Sequence, residues 1–258
     1  VQVDTIIAHD EDAHGYQPRP SDSRKLREAQ VVVANGLGFD AWIERLTQAS
    51  GGSGVLVIAS EGARLLERSD AHHDHGHGHG HGHDDEHDPH LWQDVANVRL
   101  FAANIAKALI AADPAGEQDY RANLSRYDAE LAALDAEIRQ QLAALPAGRT
   151  VVTSHEAFAY FGAAYGVRFL AASGVSASSE PSAAGVARLI RQIRKEKAAA
   201  VFLENISDPR MMERIGKETG ARVGGTLISD ALSGPDGSAP TYVAMMRHNL
   251  ATLLAALR

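Results

Sequence analysis

From residue 117 to residue 145 the chain reads "EQDYRANLSRYDAELAALDAEIRQQLAAL", with its apolar side chains at Tyr120, Leu124, Tyr127, Leu131, Leu134, Ile138, Leu142 and Leu145. Spacings of three and four place these on one stripe of a single α-helix of roughly seven to eight turns. No heptad continues past Pro146, so the stripe reads as one long amphipathic helix laid against other elements rather than as a coiled coil. This helix splits the chain, and the same alternation of short β-type runs with helical runs lies on either side of it.

Upstream, residues 3–8 ("VDTIIA") read as a strand and Ser21 as the cap of a following helix. Residues 31–35 ("VVVAN") form an apolar run closed by "GLG", as in a buried parallel strand. A helical segment at 39–49, a strand at 55–60 and a helical run from 91 to Pro114 follow. Downstream, strands at 150–154, 167–173, 199–205 and 221–229 alternate with helical segments, and a last helix closes the chain. Gly166 and Gly220 stand where helix C-terminal glycines belong. The expected fold is α/β: an N-terminal lobe over 1–115, a connecting helix over 116–147 and a C-terminal lobe over 148–258, with ligand groups gathering at strand carboxyl ends in the cleft.

Composition narrows the chemistry. With 258 residues, 45% hydrophobic, the chain can bury a substantial core, and a net charge of −8 gives no reason to expect nucleic acid as a partner. There is no cysteine, which excludes disulfides and thiolate metal sites and leaves imidazole and carboxylate as the strong ligands. No apolar run approaches the ~18 residues of a membrane span. The opening "VQVDTIIAHDEDAHGY" is abrupt, as if a leader had been removed.

Thirteen histidines are present, nine of them between Asp70 and Trp92 in "DAHHDHGHGHGHGHDDEHDPHLW". A Gly-His repeat does not hold a shape, and specific metal sites need one. Four metal-capable residues instead stand at junctions between elements: His14 in "DEDAHGY", His90 in "DPHLW", His155 in "TSHEAF" and Asp230 in "LISDAL". Three imidazoles and one carboxylate suit Zn²⁺ at four-coordination. Taken singly, each histidine also reads as a surface or hydrogen-bonded residue and Asp230 as a turn residue, and spacing alone does not decide between these. A zinc hydrolase is an alternative, since Glu156 beside His155 resembles a general base next to a ligand. Four protein ligands would close the open position such an enzyme needs, and no HExxH spacing occurs. A surface adhesin or zinc buffer on the same fold is a third reading.

The phrases "DAHGYQPRPSD", "NGLGFDAWIERL", "DPHLWQD", "VVTSHEAFAYFGAAYG", "EPSAAGVARLIRQIRKEKAAAVFLE" and "ETGARVGGTLISDAL" occur in this order. They resemble the periplasmic zinc-binding solute-binding proteins of bacterial ABC transporters, the zinc type of the cluster A-I metal-binding family. The resemblance covers the chain from Val3 onward. It implies two (β/α) lobes joined by one rigid helix, metal in the cleft between them, and ligands at His14, His90, His155 and Asp230. It further implies a high-affinity Zn²⁺ carrier of the periplasm that serves a membrane permease and catalyses nothing. A monomer is expected, with a periplasmic zinc metallochaperone as a further partner. Manganese-binding relatives carry Glu where this chain has His155, and nitrogen there favours zinc. Two departures stand out: Ala13 precedes His14 where the family usually has Pro, and the family's strand and helix upstream of Val3 are expected to precede this sequence.

The loop at 70–88, with His72, His73, His75, His77, His79, His81, His83 and His87, reads as a flexible accessory collector. It would hold zinc weakly near the main site and lose it as imidazoles protonate near pH ~6.5. Glu204 either orients a ligand histidine or pairs with an arginine. Asp88 suits a helix cap better than a contact to a ligand histidine. Asp10, Glu11 and Asp12 read as a negative rim that attracts cations, and His9 and His248 as a surface and a structural histidine. With one rigid connecting helix, release is expected to use local movement around His14 or Asp230 rather than wide opening of the lobes.

Overall fold

The computed structural model describes residues 1–66, 87–145, 148–174 and 182–258. The chain divides into two compact units, one of Pro18–Leu91 with Asn97–Asp128 and the other of Val1–Gln17, Trp92–Ala96 and Ala129–Arg258.

The unit beginning at Pro18 contains α1 (Pro20–Glu28), β1 (Val31–Ala34), α2 (Ala41–Ser50) and β2 (Val55–Ile58). It also takes most of α3 (Val95–Ala112) and the first part of α4 (Glu117–Ala143). β1 and β2 pair in parallel, Val31 opposite Val55. Val32, Ala34, Leu26, Trp42 and Ile43 form the buried side of this layer. Gly54 is required at the turn into β2, because a Cβ there would stand 2.3 Å from the Ala29 carbonyl oxygen.

Two expectations fail in this unit. α1 begins at Pro20 with Arg19 as its cap, so Ser21 lies inside the helix. Proline at the first helical position is already set to helical φ, and the Asp22 carboxylate accepts the Arg19 amide at 2.6 Å, leaving no capping task for Ser21. By length and composition α3 would also qualify as a membrane span, at mean hydropathy 1.4, contrary to the sequence reading. Its polar residues are engaged within the unit instead: Arg99 pairs with Asp128 at 2.6 Å, and Asn104 donates to the carbonyls of Ala59 and Glu61.

The other unit holds β3 (Thr150–Thr153), α5 (Ala159–Tyr165), β4 (Arg168–Ala171), α6 (Ala183–Glu196), β5 (Ala200–Glu204), α7 (Pro209–Thr219), β6 (Arg222–Leu227) and α8 (Tyr242–Leu257). The four strands form one parallel sheet in the order β4-β3-β5-β6. All four residues of β3 are buried, the mark of a strand covered on both faces. α6 and α7 pack on the sheet through Leu189, Ile193, Met212 and Ile215 against Val152 and Val201. From α4, Leu131, Leu134, Ile138 and Leu142 are buried, the second half of the stripe read from the sequence. Gly166 and Gly220 end α5 and α7 at φ +75°, the left-handed cap geometry expected of them.

Residues 3–8 form no strand. An isolated strand cannot satisfy its own amides and carbonyls, and neither sheet takes this segment as a neighbour. Val3 is exposed, and the chain is tied to its unit further on, where the Asp10 amide donates to the Leu232 carbonyl.

Candidate metal centre

In the sheet β4-β3-β5-β6, β5 pairs with β3 on one side and β6 on the other. Each neighbour leads at its carboxyl end to a candidate ligand, His155 beyond β3 and Asp230 beyond β6. Strand carboxyl ends are where an open parallel sheet gathers ligand groups. His155 Nε2 lies 3.0 Å from Asp230 Oδ2, and His14 Nε2 lies 3.7 Å from the same oxygen. The side chains of His155 and Asp230 are fully buried and that of His14 nearly so. The ligand atoms of these three lie within 4.8 Å of one another. Val1–Gln17 belongs to the same unit as β3 and β6, which is how a residue near the start of the chain reaches this place.

Glu204, the last residue of β5, fixes His155. Its Oε1 accepts the amides of Ser154 at 2.6 Å and His155 at 3.1 Å, while Oε2 stands 2.6 Å from His155 Nδ1. Of the two readings of Glu204, orientation of the histidine is the one observed. Engaging Nδ1 leaves Nε2 facing His14 and Asp230. Burial alone would lower the His155 pKa, but the carboxylates of Glu204 and Asp230 outweigh it and push it up to about 10.

A stability prediction follows for the metal-free protein. The folded-state pKa of His155 exceeds its unfolded value of about 6.5, so its ion pairs contribute fully below pH 6.5 and fade as pH rises towards 10. Urea unfolding at pH 6.5 and pH 9.5 should show a loss of stability that is smaller in His155→Gln. Equal pH dependence in both proteins contradicts the assignment.

His90 belongs to the other unit. It is fully buried, and its Nδ1 lies 2.6 Å from Asp88 Oδ1, which also accepts the His90 amide at 2.9 Å. Asp88 therefore holds the histidine rather than capping α3, correcting the sequence reading; a two-residue reach suits its short side chain. The Phe39 ring meets His90 edge-on, with centroids 6.3 Å apart. Asn35 donates to the Pro89 carbonyl at 3.0 Å, and Asp40 accepts the amides of Asn35 and Gly36. The "NGLGFD" turn is thus the brace for segment 88–90, a role its sequence did not disclose. Asp40 itself is raised in pKa, first by burial, with those amide bonds opposing.

The acidic residues before His14 are used in folding the loop. Asp12 accepts the His14 amide at 2.8 Å, Glu11 the Ala8 amide at 3.0 Å, and Asp10 a side-chain amide from Asn205 at 2.7 Å. His9 is exposed and His248 bonds to the Thr226 carbonyl, as expected of each. His87 is half-buried; His72, His73, His75, His77, His79, His81 and His83 lie outside the described residues.

Residues 1–256 match the family described as ZnuA, the periplasmic component A of the zinc-uptake complex. The chain belongs to this family. Members of the family are extracytoplasmic metal-binding components of ABC transporters, so the protein is a carrier and not an enzyme. It is 30% identical over 257 residues to the manganese-binding lipoprotein MntA of Halalkalibacterium halodurans, covering 99% of this chain and 81% of that one. It is equally 30% identical to the iron-binding protein YfeA of Yersinia pestis, over 97% of this chain and 78% of that one. In structure it is similar to the periplasmic zinc-binding protein TroA of Treponema pallidum, with a TM-score of 0.86, 29% identity and coverage of 97% and 89%. The two-lobe α/β architecture of ZnuA-family proteins is thus the fold of this chain.

Proposed function

We propose that this protein captures Zn²⁺ in the periplasm and passes it to the permease of an ABC importer, with His14, His90, His155 and Asp230 as ligands. The observation that carries the reading is the buried meeting of His14 and His155 on Asp230, with the Nδ1 atoms of His155 and His90 each engaged by a carboxylate. With Nδ1 engaged, the Nε2 atoms are the ones left to bind a cation, which supports a ligand role. Relatives are named for manganese, iron and zinc, so the choice of metal rests on the donors. Three imidazoles with one carboxylate favour zinc over manganese, whose preferred donors are oxygen. His155 carries the decisive nitrogen.

On capture the cation replaces the proton on His155 Nε2, and Asp230 exchanges an imidazolium partner for the metal. The histidines of loop 70–88 act as a weak collector that raises zinc near the site. The protein works as a monomer and accepts zinc from a periplasmic metallochaperone as well as from solution.

Competition between Zn²⁺ and Mn²⁺ for the metal-free protein at pH 7.5 tests the metal. Zinc should be preferred by at least ~100-fold, in line with the position of manganese at the weak end of the divalent series. Equal or tighter binding of manganese overturns the reading.

A further inference from the structure

Asp230 is reached by a chain segment whose backbone is gripped on both sides by one side chain. Asn205 follows Glu204 at the carboxyl end of β5. Its Oδ1 accepts the amide of Ser229 at 3.3 Å, and its Nδ2 donates to the carbonyl of Ala231 at 2.9 Å. Those two residues flank Asp230 directly. The same Nδ2 donates to Asp10 Oδ1 at 2.7 Å, four residues before His14. A second grip acts on the Ser229 carbonyl, which accepts both Trp92 Nε1 at 2.8 Å and Gln93 Nε2 at 3.1 Å.

Asp10 is tied into this junction from two sides. It is one of three non-glycine residues at positive φ among the described residues, at +56°, a conformation Asp adopts more readily than most side chains. Its amide donates to the Leu232 carbonyl and its carboxylate accepts from Asn205. A primary amide suits the position because it accepts and donates at once; neither Asp nor Leu at 205 reproduces both.

We infer that Asn205 is a positioning residue for the metal site, a clasp that joins the loop carrying His14 to the loop carrying Asp230. The inference rests on the zinc-carrier reading above and deepens it by naming what governs release. While the clasp is closed, the Asp230 carboxylate stays in register with His14 and His155. When it opens, the Asp230 segment and the His14 loop are uncoupled, each is free to shift, and the cation is left on fewer ligands. The adjacent residues Glu204 and Asn205 thereby divide the work: the first orients His155, the second holds the other two ligands of this unit. Opening the clasp at the permease gives a route to release that requires no rearrangement of the sheet.

The test measures zinc release from loaded full-length protein into excess chelator by stopped flow. Asn205→Ala and the near-isosteric Asn205→Asp are compared with wild type, with Trp92→Phe as a change to the second grip. Release should accelerate about tenfold in both Asn205 variants, within the range seen when outer partners of metal ligands are lost, and less in Trp92→Phe. In an Asp230→Ala background the effect of Asn205→Ala should shrink to within about twofold, since the two act through one group. A merely structural role would not show this coupling. Unchanged release in both Asn205 variants overturns the inference, as does an acceleration undiminished by Asp230→Ala. Absence of tight zinc in wild type instead overturns the carrier reading itself.

Discussion

His155→Ala removes tight zinc binding, with an expected loss of more than ~100-fold, beyond the range typical of changes to a ligand's outer partners. The His155 Nε2 lies 3.0 Å from Asp230 Oδ2. Its loss also removes the imidazole set between Glu204 and Asp230, leaving Glu204 to its backbone amides and Asp230 to His14. Removing one member of a buried ion pair costs about 3–5 kcal/mol, so the metal-free variant should unfold at markedly lower denaturant at neutral pH. His155→Glu separates the donor's identity from its presence. Oxygen at this position should move the preference away from zinc and towards manganese, read by metal competition on the folded variant. If His155→Ala retains wild-type zinc affinity, His155 is no ligand and the proposed site is wrong.

The second large effect is expected from Glu204, which contacts no metal in this account. Glu204→Gln keeps an oxygen to accept the Ser154 and His155 amides, but turns an NH₂ group towards His155 Nδ1. The imidazole must then carry its proton on Nε2, the atom meant for the cation. Zinc affinity should fall by about 10–100-fold while the fold is kept. Glu204→Ala is expected to be worse in a different way, since it leaves two buried amides unpaired at about 1–3 kcal/mol each. Competition titration with chemical denaturation on both variants distinguishes the effects. Wild-type affinity in Glu204→Gln would show that the His155 tautomer does not matter.

The fold was legible where periodicity is strong. The stripe from Tyr120 to Leu142 marks a helix of 27 residues, and the two central downstream strands, β3 and β5, are buried on both faces as a covered parallel sheet requires. Residues 3–8 have the same local pattern and form no strand, because pairing is a property of neighbours and not of the segment. α3 shows the reverse: its apolar composition counts as a membrane span, yet the hydrogen bonds of Asn104 and the ion pair of Arg99 fit it to a packed unit.

At the site, His14, His155 and Asp230 were visible as strand-end or loop residues of the right chemical type, and the family resemblance supplied their grouping. The residues that hold them were harder to see. Asp88 has the sequence position of a helix cap, and only the 2.6 Å approach to His90 shows its use. Asn205 sits in "LENIS", where nothing local announces a partner; its bonds run to Asp10 and to residues 229 and 231, far away in sequence. Asparagine at a strand end reads as a turn residue, and its role here depends on β5 lying between β3 and β6. Sheet order is not written in any one segment.

A built site of four residues, and not the histidine repeat, is proposed to hold the tight metal. Chelator competition at pH 7.5 tests it most directly, comparing zinc stoichiometry and affinity of the intact chain with a variant lacking residues 71–83. One tight zinc is expected in both proteins, with only weaker sites lost on deletion. Loss of tight binding in the deletion variant would contradict it and make the repeat itself the metal centre.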